Sequence, residues 1–309
     1  RIMSFVDIPT RREVFEEAQT LVGHTDVVTC MTQLDGGRVV SGSSDNTLIV
    51  WAAGDDGVFV AAQTLSGHTS FVVCVAQLDN GRVVSGSGDK TLIVWAKGDD
   101  GAFTAAQTLT GHTSYVVCVA QLDDGRVVSG SGDGTLIVWA AGDGGAFAAA
   151  QTLSGHTGFV RCVTQLDDGR FVSGSYDKTL IVWAAGDDGA FAAAQTLSGH
   201  TKAVSCVIQL NDRRLVSGSG DKTLIVWAAG DDGVFAAAQT LSGHTRFVSC
   251  VTELDDRRLV SGSDDKTLIV WAAGDDGAFA AAQTLSGHTS DVSCVTELDD
   301  RRLVSGSYD

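Results

Sequence analysis

Residues 68–111 read HTSFVVCVAQLDNGRVVSGSGDKTLIVWAKGDDGAFTAAQTLTG. Four runs rich in β-branched and aromatic residues are separated by turn-forming ones. Phe71 to Leu78 ends at Asp79-Asn80-Gly81, a tight hairpin turn. Arg82 to Ser87 is closed by Gly88-Asp89. Thr91 to Ala96 (TLIVWA) is followed by Gly98-Asp99-Asp100-Gly101. Ala102 to Leu109 then leads into Gly111-His112. Each run has the length of a strand, roughly five to eight residues. The alanine-rich fourth run (AFTAAQTL) conflicts locally, since alanine favours helix. It is too short to hold a helix alone and reads as an outer edge strand.

This unit recurs along the whole chain. His24, His68, His112, His156, His200, His244 and His288 stand 44 residues apart, and Cys30, Cys74, Cys118, Cys162, Cys206, Cys250 and Cys294 keep the same step. Trp51, Trp95, Trp139, Trp183, Trp227 and Trp271 keep it too. Seven such periods fill the 309 residues but for one. Four-stranded units repeating every 40–45 residues are the blades of a β-propeller, so the sequence predicts an all-β chain of seven four-stranded antiparallel blades.

With Gly-His before the first strand, Ser-Gly-Ser-x-Asp at the second turn and Trp late in the third strand, the chain resembles the WD-repeat (tryptophan-aspartate, WD40) β-propellers over nearly its whole length. One departure is consistent: alanine (Ala52 after Trp51) follows tryptophan where the family name has aspartate. The resemblance implies a buried hydrogen-bonded set in each blade, linking the histidine to the turn aspartate and, through a serine hydroxyl, to the indole. Those roles fall on His24, Ser41, Asp45 and Trp51, with Ser41 preferred to Ser43; on His68, Ser85, Asp89 and Trp95; and on His112, Ser129, Asp133 and Trp139. They fall equally on His156, Ser173, Asp177 and Trp183; on His200, Ser217, Asp221 and Trp227; and on His244, Ser261, Asp265 and Trp271. Each buried polar group left unpaired would cost about 1–3 kcal/mol.

The ends predict how a ring closes. The last copy stops after two strands, at Ser305-Gly306-Ser307-Tyr308-Asp309. Met3-Ser4-Phe5-Val6-Asp7 aligns with TLIVW, and Glu13-Val14-Phe15 with Ala18-Gln19-Thr20-Leu21 aligns with the outer strand. Residues 2–22 are therefore expected to complete the seventh blade begun by residues 288–309, so that residues 1–309 make one propeller. In this alignment Asp7 takes the tryptophan position, which leaves that blade's polar set incomplete beside His288, Ser305 and Asp309. Closure between two chains, or a longer array cut short, are the rival arrangements.

Composition narrows the function. With 44% hydrophobic residues the chain can bury a core, which excludes wholesale disorder. No apolar run approaches the length of a membrane-spanning helix. A net charge of -17 and a pI near 4.6 argue against nucleic acid and anionic lipid as partners. Arg1 in place of Met leads to the expectation of a fragment or processed product, with room for a targeting segment upstream. Seven equivalent cysteines cannot pair off, and no CxxC spacing suggests zinc. Free buried thiols fit a reducing compartment, cytoplasm or nucleus. With every histidine and cysteine assigned to framework, no nucleophile–base pair remains, and no glycine-rich phosphate loop is present. The sequence predicts neither an enzyme nor a cofactor.

Differences among the copies point to a binding module. TLIVW, AAQTL and SGS are almost invariant. Variation falls two, three and five residues after histidine and just before the turn aspartate. In a propeller all four positions face one end, and the resemblance implies that this narrower face, around the channel mouth, grips peptides. There the sequence places an aromatic collar (Phe71, Tyr115, Phe159, Tyr176, Phe247 and Tyr308). It also places a basic patch on three consecutive blades (Arg161, Lys202 and Arg246), followed by Asp264, Asp291 and Asp26. Aromatics are enriched where binding energy concentrates. The expected partner is a peptide or protein segment, acidic or phosphorylated, gripped by a monomer that could be the sensor of a larger protein. Two other readings stand beside it: an amplified or engineered scaffold with no ligand, and a glycan- or calcium-binding propeller using the repeated acidic turns of the opposite face. For calcium, Gly-Asp-Asp-Gly lacks the alternating oxygen ligands such loops need; solubility is the better use of that charge.

Overall fold

The computed structural model describes residues 2–7, 17–298 and 301–308. Within them the chain forms seven four-stranded antiparallel sheets. Blade two shows the plan: innermost strand Val72–Gln77, then Val83–Ser87, Thr91–Lys97 and outermost Phe103–Thr110. The four strands expected from sequence are thus present to within a residue or so at their ends. The alanine-rich run is the sheet edge, with exposed positions along most of its length.

The second and third strands are not half-buried. Val83–Ser87 is buried throughout and Thr91–Lys97 through its centre, which explains why TLIVW is a continuous apolar run rather than an alternating one. Both faces of a blade are covered by its neighbours. Leu48, Val50, Leu65 and Val72 pack with Val83, Ile93, Trp95 and Phe103 in one cluster spanning blades one and two. Equivalent clusters lie between later pairs, so the protein is held by inter-blade layers rather than one central core.

The glycine of SGS is set by this packing. A Cβ on Gly42 would lie 2.7 Å from Cys30 Sγ and 2.7 Å from Val72 Cγ1 of the next blade. The cysteine occupies the hollow that the glycine leaves, and the same trio recurs at Gly86, Gly130, Gly174, Gly218 and Gly262.

The seventh sheet is built from both ends of the chain. Ile2–Asp7 pairs antiparallel with Arg302–Ser307, and Glu17–Leu21 lies outside it. The innermost strand Val292–Glu297 lies beside Val28–Leu34 of blade one, closing the ring. The register corrects one sequence assignment. Leu303, the counterpart of Val39, pairs with Val6, whereas Val39 pairs with Trp51. Val6, not Asp7, therefore takes the tryptophan position, and Asp7 stands where Ala52 stands in blade one. The irregularity between Phe5 and Val6 matches that between Val50 and Trp51. Glu13-Val14-Phe15 and Asp309 lie outside the described residues.

Candidate functional site

The repeated polar residues build the frame on which the variable ones sit. In blade one, His24 Nε2 and Trp51 Nε1 both reach Ser41 Oγ, at 2.9 and 2.8 Å, and His24 Nδ1 lies 2.9 Å from Asp45 Oδ2. The indole N–H donates to the hydroxyl, so the hydroxyl's own proton goes to Nε2. The imidazole is then neutral and donates from Nδ1 to the carboxylate. Burial, partly offset by Asp45, Asp133 and Asp221 respectively, holds the imidazoles of His24, His112 and His200 below the usual histidine value. Asp45 also accepts from the backbone N–H of Thr25 and from both the N–H and hydroxyl of Thr47. Burial pushes this carboxyl up, but the hydrogen bonds outweigh it and bring it down to about 2. The same bonds join the histidine, serine, aspartate and tryptophan of blades two to six. Ser43 has another job: its Oγ accepts from Asp45 N–H and donates to the Asp26 carbonyl. In blade seven His288 Nε2 keeps Ser305 Oγ at 2.8 Å.

The thiols are held in their protonated form. Burial pushes Cys30 and Cys118 up to about 12, and Cys206 and Cys294 to about 11, so none is poised as a nucleophile. Among the described residues no group of three or more His, Cys, Asp or Glu is placed to hold a metal ion.

The variable residues meet at the end bearing the Gly-His and Ser-x-Asp loops. A cavity of about 410 Å³ opens there. Seven of the eleven residues expected to bind a partner line it: Phe71, Arg161, Tyr176, Phe247, Asp264, Asp291 and Tyr308. Tyr115 and Phe159 lie outside the lining but touch it through ring contacts, Tyr115 edge-on to Phe71 at 5.4 Å and Phe159 stacked on Tyr176 at 5.6 Å. Tyr115, Phe159, Tyr176 and Tyr308 are each more than two-fifths exposed.

Of the three basic residues one lines the cavity. Arg161, five residues after its histidine, reaches the channel, whereas Lys202 and Arg246, two residues after theirs, are exposed and outside the lining. Asp26 is likewise exposed and outside it. Asp264 accepts a hydrogen bond from Ser249 at 2.9 Å. Burial, and next among the raising influences the charge of Asp291, push its carboxyl up, against the pull of Ser249 and Arg246.

The opposite end is occupied by structure. Arg38, Arg82, Arg126, Arg170 and Arg214 each donate to a glycine carbonyl in the Gly-Asp-x-Gly turn of the next blade, and each lies over that blade's phenylalanine ring. The second aspartate of that turn, such as Asp100, caps a backbone N–H. These inter-blade ties escaped the sequence reading, because a partner 63 residues away repeats in every copy and offers no contrast.

Seven segments match the WD domain, G-beta repeat family: residues 15–52, 59–96, 103–140, 148–184, 192–228, 236–272 and 280–309. The chain belongs to the WD40-repeat family. Among solved structures this WD40 propeller is similar to the WD40 beta propeller domain of Doa1. The TM-score is 0.78 at 23% identity, covering 94% of this chain and 92% of that one. At that identity the likeness carries the fold alone. Among curated proteins there is no match. WD40 propellers are in general non-catalytic scaffolds for protein interaction. Among the described residues no helix is long and apolar enough to cross a membrane.

Proposed function

We propose that this WD40 propeller is a monomeric interaction module of the cytoplasm or nucleus that grips a peptide or protein segment at the channel mouth. The observation that carries the reading is a division of labour. Positions that repeat almost without change form the hydrogen-bonded frame and the inter-blade packing, while twelve of the positions that differ line one open cavity. A constant scaffold with a variable, partly aromatic mouth has the anatomy of a recognition site. Arg161 inside the mouth, with Lys202 and Arg246 on the rim, favours an acidic or phosphorylated stretch.

Selection of a random peptide-display library against the intact protein tests this, with a second arm carrying Tyr115→Ala, Phe159→Ala and Arg161→Glu. Peptides enriched only on the intact protein support the reading. Peptides enriched equally on both arms, or on neither, overturn it and favour a scaffold without a peptide ligand.

A further inference from the structure

The mouth holds charges of both signs that do not meet. Among the seven positions five residues after histidine, six carry threonine, valine or serine and only blade four carries a long charged side chain, Arg161. Arg161 is half-buried and lines the cavity, and among the described residues its side chain has neither an ion pair nor a hydrogen bond. Its positive charge acts on the thiols of Cys30, Cys74, Cys118, Cys162 and Cys206, which belong to five different blades. It lines the same cavity as residues of blades one, two, six and seven, so it faces across the mouth. A partly desolvated cation without a counter-charge is costly, and an anion entering the mouth removes that cost.

On blades six and seven, Asp264 and Asp291 line the same cavity, and neither forms an ion pair among the described residues. They are near enough for the charge of Asp291 to act on Asp264. Ser249 satisfies one oxygen of Asp264, and Arg246, outside the lining, offsets the repulsion only in part. A cation placed against the pair would relieve it.

Resting on the reading above, we propose that the mouth selects a segment carrying both charges: an acidic group held by Arg161 and, a short step along the chain, a basic side chain held against Asp264 and Asp291. Either charge alone leaves half of the site unpaired. A segment of reversed polarity brings like charges together, so the cavity also fixes the direction in which the segment lies.

The test uses four sublibraries of displayed random peptides. One carries a fixed aspartate and a fixed lysine, one the aspartate alone, one the lysine alone, and one neither. The intact protein should enrich the doubly charged set. Loss of one charge-assisted contact should weaken binding about ten- to a hundredfold. Arg161→Gln should shift enrichment to the lysine-only set, and Asp264→Asn with Asp291→Asn should shift it to the aspartate-only set. Arg161→Glu, as a further variant, should favour peptides with two basic residues. Melting curves superimposable on that of the parent establish that each variant is folded. Equal enrichment of all four sublibraries, or enrichment indifferent to these substitutions, overturns the two-charge proposal while the peptide-binding reading stands. No enrichment on the intact protein overturns both.

Discussion

Ser129 shows how much rests on one hydroxyl. It accepts from the Trp139 indole and pairs with His112 Nε2, both at 2.8 Å, with no exposed surface of its own. Ser129→Ala strands both partners, and about 2–4 kcal/mol of stability should be lost, read from urea denaturation. Ser305→Ala makes the internal comparison. Val6 rather than tryptophan stands at the indole position of that blade, so the loss should be smaller. Equal losses would show that the indole bond contributes nothing. The same residues set an acid limit. The values of His24, His112 and His200 are lowered in the folded state, so the unfolded chain binds more protons as pH drops below about 6.5, and stability falls with it. The framework aspartates are lowered too. Their contribution is present above the ordinary carboxylate range and is lost as pH falls towards the folded value, about 2 for Asp45. Melting temperature should therefore decline from pH 7 to 5 and drop more steeply below 4; a flat profile between 7 and 5 would remove the histidine share. The spacing of histidine, serine, aspartate and tryptophan was legible in the sequence because each group repeats. The radial place of Arg161 was not. A copy-by-copy comparison assigns a residue to a blade, whereas its distance from the axis depends on whether it sits in the loop or on the bulged start of the innermost strand.

At the scale of the strand, the glycine–cysteine–valine trio joins a blade to itself and to the next. A Cβ at Gly130 would lie 2.6 Å from Cys118 Sγ and 2.6 Å from Val160 Cγ1. Gly130→Ala should cost about 1–3 kcal/mol through overcrowding, and adding Cys118→Ala should restore part of it. If the double variant is less stable than the sum of the two single ones, the space argument fails. Strand identities and turns were readable from short-range chemistry. The sideways ties were not, since Gln151 clamping both the N–H and carbonyl of Phe191 on the next blade looks, within one repeat, like any polar residue on an edge strand. The hairpin turns of blades five to seven hold a related surprise. Arg213, Arg257 and Arg301 adopt the left-handed conformation that Gly81, Gly125 and Gly169 take in earlier blades. Arg301 reaches Asp255 of the preceding blade at 3.6 Å, an exposed pair of small energetic weight. Nothing else in the structure explains the exchange of glycine for arginine.

Across the whole molecule the ring depends on its seventh blade. Ile2–Asp7 covers the edge of Arg302–Ser307, Ser293 donates to the Val28 carbonyl at 3.1 Å, and Gln19 clamps Phe59 of blade one. Deleting residues 1–20 uncovers that edge. The melting temperature should fall sharply, or the protein should form oligomers by pairing the bare strands; a monomer of unchanged stability would refute closure by these strands. That the ends meet was readable from the half-copy at each terminus. Their register was read one residue out, because MSFVD and TLIVW are both short apolar runs that slide past each other without an obvious mismatch. Sameness among the other blades has a genetic consequence. Each inter-blade layer is built from nearly the same residues, so a blade exchanged for another in phase meets familiar neighbours on both sides. Recombination between copies of the coding sequence would then reshuffle the side chains at the channel mouth while leaving every layer beneath them intact, and new specificities would arise by permuting cassettes rather than by accumulating single changes.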